Sequence, residues 1–342
     1  MVLSFAQRLS RGPILADGAM GTELLRRGNL GIGSCLEQLN ITHPNLARGV
    51  HLDYIEAGAE LIQTNSYGAT RVRLEQHGLA GSVQEINRKA VEIAREAQRL
   101  TGQHVWIAGS VGPLGKSLVP LGPISPAQAQ EIFREQIQAL VEAGADLLLL
   151  ETFTDLAEIR EAIAAANTIG TLPIIAQLTF TEEGNTPAGE TPAEVAEALS
   201  SLKVASLGTN CSVGPVPMLR VIEEMTPHAT VPLSAMPNAG FPSYVDGRFV
   251  YLSSPGYMAE HAGRLLELGA AIIGGCCGTT PEHIAAMRET LRNHRPSPST
   301  SRSGTSSSGR LRAQEPAVEA ASGRVPRPGA NGPASPEQCS PR

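Results

Sequence analysis

The sequence predicts an α/β fold, a (β/α)8 TIM barrel, over residues 1–292. Eight apolar runs of strand length alternate with amphipathic stretches of helix length, and each run ends in polar residues or glycine. This repeat is typical of a parallel sheet covered by helices. A doubly wound open sheet is the alternative, but no G-x-G-x-x-G motif opens a helix after the first run.

The predicted strands are 14–18, 60–65, 105–112, 146–152, 173–180, 204–211, 231–238 and 270–277. Helices are clearest at 44–59, 125–146, 191–200 and 254–270, where apolar residues recur every three or four positions. The stretches 191–200 and 254–270 open with Thr-Pro and Ser-Pro, which suit the cap and the first turn of a helix.

The composition changes at residue 293. Of the last 50 residues, 23 are Ser, Pro or Gly, and seven are Arg. Such a segment has too little apolar surface to offset the entropy lost on ordering. Residues 293–342 are therefore expected to form a disordered tail, in which Cys339 is incidental.

Charge and hydropathy exclude two classes of partner. The net charge is -6, and the tail holds seven Arg against three Glu, so the first 292 residues carry -10. An acidic surface of this kind disfavours nucleic acid. No signal peptide and no membrane-length apolar run is evident, so we expect a cytoplasmic protein with reduced cysteines.

The carboxyl ends of barrel strands hold the active site in proteins of this fold. Cysteine is the most informative residue type at these ends, because Cys211 closes the sixth run and Cys276 and Cys277 close the eighth. The candidates at the strand ends are Asp17, Asn65, Ser110, Glu151, Asn210, Cys211, Asn238, Cys276 and Cys277.

Three thiols at one rim favour a metal site over buried apolar cysteines. Gly274, Gly275 and Gly278 are expected to permit the turn that lets Cys276 and Cys277 converge. A vicinal disulfide is disfavoured in a reducing compartment. We interpret Cys35 as a core or loop residue and expect none of the eight histidines to be a ligand.

A zinc ion held by three thiolates is suited to one kind of chemistry. It can bind an incoming thiol as thiolate near neutral pH, where a free thiol is mostly protonated. Activation of a substrate thiol for alkyl transfer onto sulfur follows from this. A zinc hydrolase or lyase is an alternative function, but the sequence lacks the His-x-His ligands of such barrels.

Six motifs occur in order along the chain: DGAMGTELLRRG, IQTNSYGAT, GSVGP, LLLLETF, GTNCSVGP and IIGGCCGTTPEHI. Together they resemble the homocysteine S-methyltransferase family over residues 4–292, and they come closest to the methionine-synthase module and to proteins that fuse this barrel to methylenetetrahydrofolate reductase. The resemblance implies methyl transfer to L-homocysteine, giving L-methionine, with Cys211, Cys276 and Cys277 as zinc ligands. It also implies that Asp17 and Glu151 contact homocysteine at its ammonium group, and that Asn65 and Ser110 are further polar rim positions.

The methyl donor stays open at this point. Methylcobalamin with methyltetrahydrofolate would require a corrinoid supplied by a separate cobalamin protein, because the sequence has no D-x-H-x-x-G cobalamin motif. S-methylmethionine or S-adenosylmethionine could be used directly. The alternative function is that of a non-catalytic homocysteine-binding subunit, which serves a separate corrinoid or folate methyl carrier.

Overall fold

The computed structural model describes residues 3–245 and 248–293 of the chain. Eight parallel strands form one sheet: β1 (Ile14–Leu15), β2 (Leu61–Gln63), β3 (Trp106–Val111), β4 (Leu147–Phe153), β5 (Ile174–Leu178), β6 (Ser206–Asn210), β7 (Leu233–Met236) and β10 (Ala270–Ile273). Their order in the sheet is β1-β10-β7-β6-β5-β4-β3-β2, and a bridge between Ala16 and Leu61 joins the first strand of this order to the last. The fold is therefore the predicted (β/α)8 barrel.

Each of the eight predicted runs coincides with a barrel strand. Seven of the strands are shorter than their runs, and β4 is displaced by one residue, since it ends at Phe153. β10 ends at Ile273, so Cys276 and Cys277 lie in the turn beyond it and not within the strand. Cys211 likewise follows the last residue of β6. The ladder stops before these residues because the chain leaves the sheet to form the rim of the barrel.

Helices enclose the barrel. Several begin with a side-chain cap, as Ser125 does at the start of the seventh helix, where Gln128 completes a capping box. The helices are α1 (Phe5–Leu9), α2 (Met20–Gly28), α3 (Leu39–Thr42), α4 (Pro44–Ala57), α5 (Arg71–Glu75), α6 (Val83–Thr101), α7 (Pro126–Glu142), α8 (Leu156–Ile169), α9 (Pro192–Ser200), α10 (Pro215–Met225), α11 (Pro255–Glu267) and α12 (Pro281–Asn293), with a 3-10 turn at Ala80–Ser82.

The fourth strand shows how the core directs side chains to the site. Leu148 and Leu150 pack toward the helices, whereas Leu147 and Leu149 pack inside the barrel. Both faces of a barrel strand are buried, so the run is continuously apolar. Since side chains alternate along a strand, the same alternation turns Glu151 inward at the carboxyl end of β4.

Two short strands, β8 (Ser243–Val245) and β9 (Arg248–Val250), form an antiparallel hairpin in the connection from β7 to α11. The residue pattern of this segment did not predict a hairpin. Among the described residues no helix has both the length and the apolar character needed to cross a bilayer. The predicted tail falls outside the described residues except for Asn293, and its disorder stays a prediction.

Candidate functional site

Three thiols meet at the carboxyl rim of the barrel. β7 lies between β6 and β10 in the sheet, so Cys211 and the Cys276–Cys277 pair follow strands separated by one neighbour. The three sulfur atoms all lie within 4.8 Å of one another, and the sulfurs of Cys211 and Cys277 are 3.7 Å apart. In the part of the chain that the structure describes, no other group of His, Cys, Asp or Glu side chains converges in this way.

Backbone turns bring the thiols together. Cys211 and Ser212 have φ angles of 61° and 59°, a left-handed conformation that non-glycine residues rarely adopt. The loop after β7 then ties the two cysteine turns to each other. The Cys276 N–H donates to the carbonyl of Pro237 (2.8 Å), and the Ala239 N–H donates to the carbonyl of Cys277 (2.9 Å).

The glycines around the cysteine pair serve two different needs. Gly278 has a φ of 79°, as expected for a sharp turn. Gly274 and Gly275 are not in the left-handed region, and their role is to leave space. A Cβ on Gly274 would lie 2.7 Å from the Asp17 carbonyl, and one on Gly275 would lie 2.4 Å from Thr279 Oγ1.

The donor set fits a soft divalent metal. Hydrogen bonds from Cys211 and Cys276 lower the pKa of Cys277 well below its usual value. Hydrogen bonds with Cys211 and Cys277 raise the pKa of Cys276. The three sulfurs thus interact closely, and three thiolates with an open fourth position suit zinc.

Two buried carboxyl groups, Asp17 and Glu151, accompany the thiols. Asp17 Oδ2 accepts the N–H of Gln63 (2.9 Å). Burial raises the pKa of Asp17 well above its usual value, and the nearby charge of Glu151 adds to the effect. No ion pair in the described part of the chain involves either carboxyl. The two carboxyl groups therefore have no cationic partner among the described residues.

Glu151 is held by two neighbouring strand ends. Ser110, on β3, donates its hydroxyl to Glu151 Oε1 (2.5 Å), and Asn210, on β6, donates to Glu151 Oε2 (3.2 Å). Burial raises the pKa of Glu151 to about 7, and the Ser110 hydrogen bond acts against this shift. The structure thus brings Ser110, Glu151 and the cysteines into one site.

Asn65 has different partners. Its side-chain nitrogen donates to the Leu36 carbonyl (2.8 Å) and to Asn40 Oδ1 (3.0 Å), and Asn40 donates back to the Asn65 carbonyl. These bonds join the end of β2 to α3 and to the segment just before it. Asn65 shares no hydrogen bond with Asp17, Glu151 or the cysteines, so its predicted role in substrate binding stays a prediction.

The sequence marks Asn210 as a polar residue at a strand end but predicts no role for it. Its side chain donates to Glu151 and to Thr152 Oγ1 (2.7 Å), accepts the Thr152 N–H (2.7 Å), and lies 3.8 Å from the Cys276 sulfur. Its position directly before Cys211 was the available signal. Asn210 thereby connects the carboxylate part of the site to the thiol part.

Tyr251 was also missed, because it follows a hairpin that the sequence did not predict. Burial and the nearby charge of Cys277 raise the pKa of Tyr251, so its hydroxyl lies close to the thiols. Its ring lies over Gly278, where a Cβ would come within 2.1 Å of the ring. Cys35 lies apart in the loop after α2, with its sulfur 3.7 Å from Glu37 Oε2.

The fold and this site define a class of protein: (β/α)8 barrels with three convergent thiols and two buried carboxyl groups at the carboxyl rim. A family model described as homocysteine S-methyltransferase matches residues 14–291. The chain belongs to this family.

Relatives and solved structures agree with this assignment. The chain is 32% identical over 300 residues to methionine synthase of Mycobacterium tuberculosis, covering 83% of this chain and 25% of the relative. It is 32% identical over 292 residues to methionine synthase of Mycobacterium leprae, covering 81% of this chain and 24% of the relative. The chain thus spans about a quarter of the length of these curated relatives.

A solved structure matches over nearly its whole length. The metallated form of the homocysteine methyltransferase MmuM from Escherichia coli superposes with a TM-score of 0.69 at 28% identity. The match covers 81% of this chain and 96% of that one. The similarity therefore extends over a whole solved homocysteine methyltransferase and not over a fragment of it.

Proposed function

We propose that this chain catalyses zinc-dependent methyl transfer to the sulfur of L-homocysteine, giving L-methionine. The observation that supports it best is the pairing of three thiols, within 4.8 Å of one another, with two buried carboxyl groups that lack a cation. Homocysteine carries a thiol and an ammonium group. The thiol suits a metal held by the three cysteines, and the ammonium group suits the two carboxyl groups. The family match and the metallated E. coli neighbour point the same way.

Cys211, Cys276 and Cys277 would hold the zinc ion. When bound, zinc supplies an open position at which a substrate thiol is stabilised as thiolate near neutral pH. The left-handed turn at Cys211 and the turn at Gly278 direct the three thiols toward one another.

Asp17 and Glu151 would bind the ammonium group of homocysteine. Burial disfavours the ionised form of both carboxyl groups, so an incoming cation is stabilised strongly in exchange. Charge-assisted hydrogen bonds of this type are the stronger ones in proteins. Ser110 and Asn210 hold Glu151 from two sides and fix the direction of its oxygens.

The transfer itself needs no further redox partner. The homocysteine thiol gives up its proton to solvent, and its sulfur then forms a bond to the methyl carbon. The bond between that carbon and the donor atom breaks, and its electron pair leaves with the donor. The residues of this chain orient the amino acid so that its sulfur lies beside the sulfurs of Cys211, Cys276 and Cys277.

The experiment is methionine formation by zinc-loaded protein, with S-methylmethionine, S-adenosylmethionine, methylcobalamin, methyltetrahydrofolate and betaine offered separately. Zinc content is measured in the same samples. We expect a full equivalent of zinc and turnover with one donor. Protein without zinc after purification under reducing conditions would contradict the proposal.

One observation favours a second candidate. The methionine synthases are about four times as long as the matched region, so that region is one part of a longer chain in those relatives. The chain could accordingly bind homocysteine and present it to a separate corrinoid or folate methyl carrier. Stoichiometric zinc and homocysteine binding, with turnover only when a corrinoid protein is added, would favour this candidate.

A further inference from the structure

A buried histidine beyond the cysteine pair joins two segments of the rim. His283 lies in the first turn of α12. Its Nδ1 lies 3.1 Å from the N–H of Thr280, and its Nε2 lies 2.9 Å from the carbonyl of Ser253. Since an amide N–H donates and a carbonyl accepts, Nδ1 is the acceptor and the proton is on Nε2.

These two bonds complete a closed circuit of hydrogen bonds around Cys277. The Cys277 carbonyl accepts the Ala239 N–H (2.9 Å), and the Ala239 carbonyl accepts the Ser253 N–H (3.1 Å). The Ser253 carbonyl then accepts from His283, and His283 accepts from Thr280, three residues after Cys277. The only links that are not backbone-to-backbone run through the imidazole.

The segment fixed by this circuit carries Tyr251. Tyr251 lies two residues before Ser253, and its ring covers Gly278, the residue that follows Cys277. Burial and the nearby charge of Cys277 raise the pKa of Tyr251, so its hydroxyl lies close to that sulfur. A hydrogen bond to a metal-bound thiolate draws charge from the sulfur, and contacts of this kind around a site tune its affinity for metal. The position of Tyr251 therefore depends on the bond from His283 to Ser253.

We propose that His283 is a positioning residue for the thiol group: it ties the Cys276–Cys277 turn to the segment that sets Tyr251 against Cys277. The inference rests on the proposed metal site. A simpler role is that His283 only caps α12, since it occupies the position at which Gln or Glu completes a capping box. A helix cap does not require the bond to Ser253, so this bond distinguishes the proposed role from capping.

The test compares His283→Leu, His283→Gln and Gln128→Leu in the full chain. Gln can retain the bond to Thr280 and carries an N–H for Ser253, so it is the conservative variant. Gln128 is the matched control, because it holds the corresponding position of α7 and accepts the Ser125 N–H (2.9 Å) far along the chain from the cysteines. The readouts are the rate of zinc release to a chelator and the thiolate-to-cobalt absorption of Co²⁺-loaded protein.

We expect His283→Leu to release zinc about tenfold faster or more and to shift the cobalt absorption. His283→Gln should recover most of the wild-type behaviour, and Gln128→Leu should match wild type. Equal release rates and spectra in His283→Leu and wild type would overturn the inference. So would equal acceleration in His283→Leu and Gln128→Leu, because the effect would then come from the loss of a helix cap alone.

A second variant covers the case in which His283→Leu does not fold. Tyr251→Phe keeps the ring over Gly278 and removes only the hydroxyl, and we expect it to speed zinc release severalfold. An unchanged rate would contradict the proposed coupling. Wild-type protein that binds no zinc would instead contradict the proposed function, so the two failures are distinguishable.

Discussion

The side-chain amide of Asn210 donates to Glu151 Oε2 at 3.2 Å, and the same nitrogen lies 3.8 Å from the Cys276 sulfur. One side chain thus links the carboxyl group proposed to bind the substrate amine with a thiol proposed to bind the metal. The spacing between the amine and the sulfur of the substrate would be set by this link.

Asn210→Leu should weaken homocysteine binding without removing zinc. The variant leaves Glu151 without one of its two side-chain donors and the half-buried Thr152 N–H without its acceptor. We expect KM for homocysteine to rise about tenfold, in line with the loss of a charge-assisted bond. Asn87→Leu is the control, since it also removes buried hydrogen bonds but lies on α6. An equal rise in both variants would contradict the assigned role.

Replacing any one of the three thiols should release the metal. Cys211→Ala, Cys276→Ala and Cys277→Ala each leave two thiolates, which is too few to hold zinc against solvent. Elemental analysis of purified variants should show less than a tenth of an equivalent. Cys35→Ala is the matched control and should retain full zinc, and retention of zinc in all three alanine variants would disprove the site.

Asp17→Asn and Glu151→Gln should keep zinc and lose affinity for the substrate amine. Loss of a hydrogen bond to a charged group corresponds to about tenfold to hundredfold in Kd. Calorimetry with 4-mercaptobutanoate, which has the thiol but no amine, provides the control. Both variants should bind this analogue as wild type does. A parallel loss for homocysteine and the analogue would show that the carboxyl groups act on something other than the amine.

His51 makes folding stability depend on pH. It is fully buried on α4, both ring nitrogens lack hydrogen-bond partners in the described part of the chain, and burial lowers its pKa from 6.5 to about 4. The unfolded chain therefore binds a proton below pH 6.5 that the folded protein excludes, so the free energy of unfolding falls as pH decreases.

Between pH 7.5 and pH 5 this contribution amounts to about 2 kcal/mol. Urea unfolding of wild type and His51→Leu at both values measures it. The variant should lose about 2 kcal/mol less than wild type on acidification. The same loss in both proteins would mean that His51 is not responsible.

Much of the fold follows from the sequence for a physical reason. Barrel strands are buried on both faces, so stretches such as DLLLLET are apolar throughout and end where polar residues begin. The β8–β9 hairpin was not predictable in this way. Phe241, Tyr244, Phe249 and Leu252 in and around it are exposed, and burial imposes no pattern on such a segment.

The residues of the site likewise differ in how far the sequence predicts them. The convergence of Cys211 with Cys276 and Cys277 could be predicted, because strand order alone places them at one rim. The roles of Asn210, Tyr251 and His283 could not, because each depends on contacts between segments distant in sequence. His283 looks like an ordinary helix-start residue until its second nitrogen is seen to face Ser253.

The most direct test of the central claim is zinc X-ray absorption of the purified chain, recorded before and after addition of L-homocysteine. We predict three sulfur neighbours at ~2.3 Å with one lighter atom in the free protein, and four sulfur neighbours once homocysteine is bound. Fewer than three sulfurs in the free protein, or no added sulfur with homocysteine, would contradict the claim that these thiols hold a zinc ion that takes the substrate thiol.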